Sequence, residues 1–171
     1  MDLFEAIEKR TSVRRYGTHR LSGAEWDRLL GAAMAAPSAV DRRPWDFVVV
    51  KERKTLEALA AALPYAKMAA GAAGAVVVCA SPDRAFQGSR EFALLDATAA
   101  LENLLLAATG LGLGAVWTAL YPEADREAAA RSILGIPADV IPLALVPVGE
   151  PAGPAEPKDK FDPARIRRER W

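Results

Sequence analysis

The sequence predicts one globular domain that mixes α-helices and β-strands without the regular strand–helix–strand repeat of doubly wound folds. Of the 171 residues, 51% are hydrophobic, which suits a domain with its own core or one that shares its core with a partner. Two helical patterns precede the first strand pattern, and no glycine-rich loop joins a strand to a helix. The stretch GLGLG at 110–114 follows a helix and precedes a strand, the reverse of the order that a dinucleotide-binding site requires.

The first two helices are marked by the same capping pattern, an Asp or Ser followed three residues later by Glu. The second helix, predicted over 26–36, must end before Pro37 because proline removes a backbone donor and restricts the residue before it. The pattern occurs at Asp2 with Glu5 and at Ser22 with Glu25.

The middle of the chain alternates short apolar runs, typical of buried strands, with longer helical patterns. The helix over 89–109 is apolar on nearly all sides and is therefore expected to be central, with Gly110 as its C-terminal signal. Two prolines within 140–149 favour an edge strand or an interrupted ladder. The predicted strands are 46–51, 74–81, 114–120 and 140–149, and the remaining helices are 52–63 and 125–135.

The composition changes after Gly149. Residues 150–171 are rich in proline and charge, so they cannot form a core of their own. They nevertheless carry Phe161, Ile166 and Trp171, which a free linker would not need. We expect an extended tail that docks on its own domain or on a second protomer.

Charge and composition argue against several functional classes. Lys and Arg number 22 and Asp and Glu number 22, so bulk attraction to nucleic acid or to an anionic membrane is not expected. The N-terminus reads as an amphipathic helix rather than a secretory signal, and no apolar stretch approaches the roughly 20 residues that span a bilayer. The single cysteine, Cys79, fits a reducing cytoplasm and is expected to be a buried structural thiol. His19 is the sole histidine, so neither a metal site nor a Ser-His-Asp site is expected.

A basic segment, residues 9–20, contains five Lys or Arg residues and no acidic residue. Basic residues near a helix C-terminus are favoured by the helix dipole by about 0.3–1 kcal/mol each, which is a sufficient explanation for Lys9. If the segment is extended, Arg10, Ser12 and Arg14 share one face, and two guanidinium groups with a hydroxyl could clamp a phosphate. Both explanations remain open on this segment alone.

Three further motifs each have an ordinary structural explanation. APSAVDRRPWDF at 36–47 fits a rigid turn, or a loop whose small residues admit a flat ligand. GLGLGAVWTALYP at 110–122 fits a helix stop, a turn and a strand, or a loop that presents backbone N–H groups to a ligand. KDKFD at 158–162 fits a solvated charge run.

Taken together, the order and spacing of the four motifs resemble the FMN-dependent nitroreductase family over essentially the whole chain, and in particular its short members. The family patterns are R-x-S-x-R-x-(F/Y), P-S-A-x-N-x-Q-P-W-x-F, N-x-L-L-A-A-x-x-x-G-L-G, W-x-G-x-Y-P and a basic tail that ends in R-W. The matching residues are Arg10, Ser12, Arg14 and Tyr16; Pro37, Ser38, Ala39, Pro44, Trp45 and Phe47; Asn103, Leu105, Leu106, Ala107, Ala108, Gly110, Leu111 and Gly112; Trp117, Tyr121 and Pro122; and Lys158, Lys160, Arg170 and Trp171.

The resemblance implies an α+β fold of three αβα layers with a central, mostly antiparallel sheet, forming a single domain over 1–171. It also implies an obligate homodimer with two FMN molecules at the interface, in which the tail of each protomer, residues 150–171, embraces the other. The implied phosphate contacts are Arg10, Thr11, Ser12, Arg14, Lys158 and Lys160. The implied flavin-ring contacts are Pro37, Ser38 and Ala39 from the other subunit, Thr118, Ala119 and Leu120 near flavin N5, and Lys67 near the ribityl chain and N1.

The sequence departs from the quoted family patterns at three positions. Asp41 and Arg43 stand where Asn and Gln are usual, and Ala119 replaces a glycine. A carboxylate near the flavin would disfavour the reduced anion unless Arg42 or Arg43 neutralises it. These changes bear on substrate preference and redox poise more than on FMN binding.

The implied activity is transfer of a hydride from NADH or NADPH to flavin N5, followed by reduction of a nitroaromatic, quinone or similar small acceptor in the same cleft with ping-pong kinetics. Because the cofactor carries the chemistry, no catalytic protein side chain is required. Two alternatives remain open from the sequence. One is another FMN reaction, such as reductive dehalogenation or flavin transformation, and the other is a non-catalytic flavin-binding dimer.

Overall fold

The computed structural model describes residues 1–154 and 156–171, in which five α-helices surround a five-stranded sheet. The helices are α1 (Leu3–Lys9), α2 (Gly23–Met34), α3 (Arg53–Ala62), α4 (Arg90–Gly110) and α5 (Ala124–Leu134). The strands are β1 (Trp45–Val50), β2 (Gly74–Ala80), β3 (Gly114–Ala115), β4 (Thr118–Ala119) and β5 (Ile141–Gly149). The expected strand over 114–120 is thus two short strands, separated by Val116 and Trp117.

The sheet is antiparallel in every described strand pair, in the order β1-β2-β5-β3, with β4 also paired to β5. The edge position expected for β5 is therefore wrong: this strand lies in the middle of the sheet and is buried along its whole length. The alternative, an interrupted ladder, is what the structure shows. The register with β2 shifts where Pro142 faces Cys79, so the missing proline donor falls at a β-bulge.

Pro147 is accommodated by a gap in the opposite ladder. On that side β5 pairs with β3 through Val148 and Gly149, and with β4 through Ala144 and Leu145. The Pro147 carbonyl instead accepts the hydroxyl of Tyr16 at 3.1 Å. The nitrogen and carbonyl of one strand residue point the same way, so the absent N–H faces this gap and costs no ladder bond.

Alternating side chains of β2 divide the core into two layers. Val76 and Val78 pack in a cluster with α2 and α4, while Val77 and Cys79 pack in a second cluster with α3 and α5. Side chains on successive strand residues point to opposite faces of a sheet, so helices cover both faces of this one. The αβα layering expected from the sequence is confirmed.

Helix α4 is central, as expected, and eight of its residues are buried. Its left-handed C-terminal glycine is Gly112 (φ 74°), not the expected Gly110, and the amide of Leu113 donates back to the carbonyl of Ala108 at 2.8 Å. We expected no apolar stretch of this kind, but by length and composition alone this 21-residue helix could span a membrane. Its packing against α2 and β2 accounts for that apolar composition.

The two capping predictions have different outcomes. Ser22 and Glu25 form the full reciprocal box, with Glu25 accepting from the Ser22 amide at 2.7 Å. At α1 the Asp2 side chain caps the Glu5 amide at 2.9 Å, but the Glu5 carboxylate turns to Lys9 at 2.6 Å. The second half of that box is absent among the described contacts because an i,i+4 ion pair replaces it.

Candidate functional site

A cleft of about 1040 Å³ lies between α1, α4, Trp117 and the C-terminal tail. It brings Arg10 and Ser12 of the basic segment together with Lys158 and Lys160 of the tail, although more than 140 residues separate the two groups in sequence. The cleft is lined by Ile7, Glu8, Arg10, Ser12, Glu102, Leu105, Leu106, Trp117, Pro157, Lys158, Asp159, Lys160 and Phe161.

Arg10 reaches the cleft because it ends α1. It is the C-cap residue, its amide donates to the Ala6 carbonyl at 2.9 Å, and its backbone then leaves the helical conformation (ψ 118°). Ser12 forms an isolated bridge with Ala115, and the Val13 amide donates to the Ala115 carbonyl at 3.0 Å. The helix end and this bridge to the strand region together fix where the two side chains lie.

Gly114 permits this close approach. A Cβ at Gly114 would lie 2.6 Å from Cγ1 of Val13, a distance that no real methyl group tolerates. Further along, the single proton of the Tyr16 hydroxyl is shared between the carbonyls of Val13 at 2.8 Å and Pro147 at 3.1 Å. Burial raises the pKa of Tyr16 well above its ordinary value, so the hydroxyl stays protonated and keeps both bonds.

The middle of the basic segment, residues 11–15, lines a smaller neighbouring cleft of about 310 Å³. Thr11, Ser12, Arg14 and Arg15 line it, together with residues just after β5. Ser12 therefore lines both clefts, whereas Arg10 and Arg14 line different ones. Residues 10, 12 and 14 were expected to face one site. In the structure they line two neighbouring clefts.

One wall of the larger cleft is apolar. Leu105 and Leu106 lie three and four residues after Glu102 on α4, so these side chains share one helix face. Trp117, between the two short strands, is 38% exposed and completes this wall with Phe161. The cleft thus combines basic and hydroxyl side chains with an apolar wall, and it can hold a ligand that combines an anion with a flat apolar ring.

Pro37, Ser38 and Ala39 line neither cleft within the described chain. The Ala39 amide donates to both carboxylate oxygens of Asp96 at 3.2 Å, and Ser38 Oγ accepts the Arg43 amide at 2.9 Å. Asp96 is buried on α4 and was missed by the sequence reasoning, although it is the sole charged residue between Glu91 and Glu102. A lone carboxylate inside an apolar helix is a signal for a buried polar partner.

The same loop carries unusual backbone conformations. Val40, Asp41 and Arg43 all have positive φ, at 53°, 54° and 51°, and none is glycine. Arg43 forms an ion pair with Asp41, and this guanidinium lowers the pKa of the Asp41 carboxyl. Positive φ at a β-branched residue is strained, and such strain persists only where surrounding contacts enforce it.

Lys67 and the residues of β4 also lie outside the two described clefts. Lys67 is exposed at the start of a short 3-10 turn. Thr118 is buried, Ala119 is partly buried, and the Leu120 amide is engaged by the Leu143 carbonyl at 3.1 Å. The structure therefore places the residues expected to contact the phosphate in two adjoining clefts, and it leaves those expected to contact the flavin ring outside both.

A separate cleft of about 700 Å³ lies near His19, Lys51 and Arg53. Two of its cations have partners: Arg53 donates to the Ala70 and Ala72 carbonyls, and the Lys51 ammonium lies 5.6 Å from the centre of the Trp26 ring. The described residues contain no group of three or more His, Cys, Asp or Glu side chains arranged to hold a metal ion. Cys79 is buried as expected, and burial raises the pKa of its thiol to about 12, so it does not supply a thiolate.

Comparison with known proteins agrees with this architecture. The model of the nitroreductase family matches residues 7–72 and 60–150. The chain belongs to the nitroreductase family. This confirms the family resemblance read from the four motifs.

Family relatives match along nearly the entire chain. A Methanothermobacter thermautotrophicus protein named "Putative NADH dehydrogenase/NAD(P)H nitroreductase" is 43% identical over 171 residues, covering 100% of this chain and 88% of its own length. An Archaeoglobus fulgidus protein of the same name is 38% identical, covering 99% of each.

Solved structures of family members have the same fold. A crystal structure from Parabacteroides distasonis, also carrying the NADH dehydrogenase/NAD(P)H nitroreductase name, superposes with a TM-score of 0.94 at 42% identity, covering 99% of this chain and 98% of that one. A Desulfovibrio desulfuricans protein described as "a putative nitroreductase in complex with fmn" superposes with a TM-score of 0.84 at 25% identity, covering 100% of this chain and 98% of that one. The α+β family fold expected from the sequence is confirmed.

Proposed function

We propose that this chain is an FMN-dependent oxidoreductase that takes hydride from NADH or NADPH and reduces small acceptors such as nitroaromatics or quinones. The observation that carries the proposal is the larger cleft. Its basic and hydroxyl side chains, Arg10, Ser12, Lys158 and Lys160, fit the FMN phosphate, and its apolar wall fits a flavin ring. The volume of about 1040 Å³ is at the upper end of the ~300–1,000 Å³ usual for ligand sites. The D. desulfuricans relative supports the cofactor, because it is described in complex with FMN.

The residues present supply binding and orientation rather than acid–base chemistry. When bound, FMN provides a ring that accepts and releases a hydride at N5. Arg10, Lys158 and Lys160 offer charged donors to the phosphate, and Ser12 offers a hydroxyl. Trp117 and Leu105 exclude water from the apolar side, which keeps the ring in a low-dielectric setting. Thr11 and Arg14, from the adjoining cleft, add charge and a hydroxyl behind Ser12.

We further propose that the working unit is a homodimer. Large apolar side chains of α1 are exposed in the single chain, with Leu3 at 65% and Phe4 at 75%. Phe161 and Trp171 of the tail are exposed at 76% and 101%. Exposed apolar groups of this size mark an interaction surface, and a second copy would cover them. In such a dimer the partner's loop at positions 37–39 would complete the ring side of the site, together with Lys67, Thr118, Ala119 and Leu120.

We also propose that the protein is cytoplasmic. Its reductant and its acceptor occupy the same cleft in turn. The test begins with the absorption spectrum of the protein purified without added cofactor, with any released chromophore identified by mass. A flavin spectrum, release of FMN, and bleaching by NADH or NADPH without oxygen would support the proposal. Parallel initial-rate lines for reductant and acceptor would support a shared cleft, whereas intersecting lines would contradict it.

Two outcomes would overturn the proposal in different ways. A colourless protein that also fails to take up added FMN would refute the cofactor. A protein that binds FMN but whose flavin neither NADH nor NADPH reduces would instead be a non-catalytic flavin-binding dimer. Turnover of halogenated phenols or of free reduced flavin, with no turnover of quinones, would replace the proposed acceptors.

A further inference from the structure

We propose that Glu102 lowers the affinity of the larger cleft for the FMN phosphate, because its carboxylate competes with the phosphate for Arg10. This inference rests on the FMN binding proposed above. It concerns a residue on α4, outside the basic segment and outside the tail, and it makes Glu102 a positioning residue that acts through the Arg10 guanidinium.

The contact that carries the inference joins two side chains of the same cleft. Arg10 Nε lies 3.8 Å from Glu102 Oε1, and both residues line the cleft. The Arg10 side chain is 20% exposed and that of Glu102 is 48% exposed, so Arg10 is largely shielded while its carboxylate partner is about half open to solvent. A phosphate that approaches Arg10 therefore meets a guanidinium that already has an anionic partner.

The formal charges of the side chains that line the cleft support the same inference. Among the described residues, the cleft is lined by three basic and three acidic side chains, so their formal charges cancel. Those residues are Arg10, Lys158 and Lys160 against Glu8, Glu102 and Asp159. Of the three acids, Glu102 is the one that forms an ion pair with a described basic residue of the cleft.

A phosphate group can displace Glu102 from Arg10, but the displacement lowers the affinity for the phosphate. It carries about 1.5–2 negative charges at neutral pH and offers three oxygens to a guanidinium, against one charge and two oxygens for a carboxylate. Glu102 must still give up its contact with Arg10, and its charge stays close to the phosphate. Partly exposed ion pairs are weak, so we expect the competition to reduce FMN affinity by about two- to fivefold.

The test substitutes Glu102→Gln, which keeps the side-chain volume and removes the charge. FMN is titrated into the apoprotein, and the dissociation constant is read from quenching of flavin fluorescence. We expect E102Q to bind FMN about two- to fivefold more tightly than the unsubstituted protein. Glu5→Gln is the matched control, because Glu5 is an acid paired with Lys9 on α1 that does not line the cleft.

Two further measurements separate a role through Arg10 from a general charge effect. In an Arg10→Ala background, E102Q should no longer tighten FMN, because the competition has been removed. Riboflavin lacks the phosphate, so its affinity should be the same in E102Q and in the unsubstituted protein. If riboflavin binds too weakly to titrate, the Arg10→Ala background alone decides.

The outcomes keep this inference apart from the proposed function. If the unsubstituted protein takes up no FMN, the proposed function fails first. If it binds FMN and E102Q leaves the affinity unchanged or weakens it, the inference about Glu102 is wrong while the proposed function stands. Equal tightening by E102Q with and without Arg10 would also overturn it.

Discussion

The Arg43 guanidinium donates two hydrogen bonds to the Asp41 carboxylate, from Nε to Oδ1 at 2.7 Å and from Nη2 to Oδ2 at 2.5 Å. These are the two positions where the sequence departs from the neutral Asn and Gln of the family pattern. The structure shows that the departures are coupled: the carboxylate and the guanidinium form one bidentate pair, and the pKa of Asp41 is lowered by that partner. The pair replaces two neutral amides with a unit of zero net charge.

This pairing predicts opposite effects of two single substitutions on the flavin of the proposed holoenzyme. Asp41→Asn leaves Arg43 unneutralised, which stabilises the reduced flavin anion and raises the midpoint potential. Arg43→Gln leaves the carboxylate alone and lowers the potential. Spectroelectrochemical titration measures both shifts. The double variant restores neutrality and should return close to the starting potential, so equal shifts in one direction for both single variants would contradict the pairing.

Arg10→Ala should weaken FMN binding, because a charged hydrogen bond to the phosphate is lost. Such a bond contributes about 1.5–3 kcal/mol, which corresponds to roughly a ten- to hundredfold rise in the dissociation constant. Equilibrium titration of the apoprotein measures it. Arg20→Ala is the control, because Arg20 belongs to the same basic segment but lines neither of the two clefts around Ser12. Unchanged affinity in R10A would remove Arg10 from the phosphate site.

Asp96→Ala should destabilise the fold, because it leaves the partly buried Ala39 amide without its acceptor. An unsatisfied buried group costs about 1–3 kcal/mol, which denaturant unfolding can resolve. Asp96→Asn keeps a carbonyl oxygen at the same place and should lose less. If the two variants unfold at the same denaturant concentration, the bond to Ala39 does not stabilise this loop.

Gly114→Ala should disturb the basic segment, because its new methyl group would collide with Val13. We expect lower thermal stability and weaker FMN binding together, since Ser12 is placed by the same bridge to Ala115. Gly110→Ala is the matched control. It lies at the end of α4 with ordinary backbone angles, and among the described atoms none would lie within 4 Å of its added methyl. A stable G114A protein with full FMN affinity would contradict the close packing.

Cys79 should resist thiol reagents in the folded protein, because it is buried and its pKa is raised to about 12. A chromogenic disulfide reagent at pH 8 should report one thiol only after denaturant is added. The raised pKa also has a consequence for stability. Below the unfolded pKa of about 8.5, the thiol is neutral in both states and the free energy of unfolding keeps its full contribution. As the pH rises toward 12, the unfolded state ionises first, so this contribution to the free energy of unfolding is lost. Cys79→Ala should therefore lose less stability than the unsubstituted protein over this alkaline window.

Most helices and strands could be predicted from the sequence, because local chemistry determines them. Ser22 and Glu25 form the predicted capping box, and Gly135 ends α5 in the left-handed conformation (φ 67°) expected of a helix-stop glycine. The prolines of β5 misled the prediction, because an absent donor is equally well placed at an edge, at a bulge or opposite a gap. Whether β5 lies at an edge or in the middle of the sheet depends on its neighbouring strands. In this fold, Pro142 faces Cys79 at the bulge, and Pro147 lies beside the gap between β3 and β4.

The sequence by itself determined the family, the alternation of elements and the residues of the basic segment, since these follow from residue types at short spacing. Only the tertiary structure decided which charges meet. The contact of Arg10 with Glu102 and the bond from Ala39 to Asp96 join residues 92 and 57 positions apart, respectively. Such contacts depend on how α4 packs against α1 and against the loop after α2. No local pattern encodes that packing, because it arises from burial of the whole apolar helix in the core.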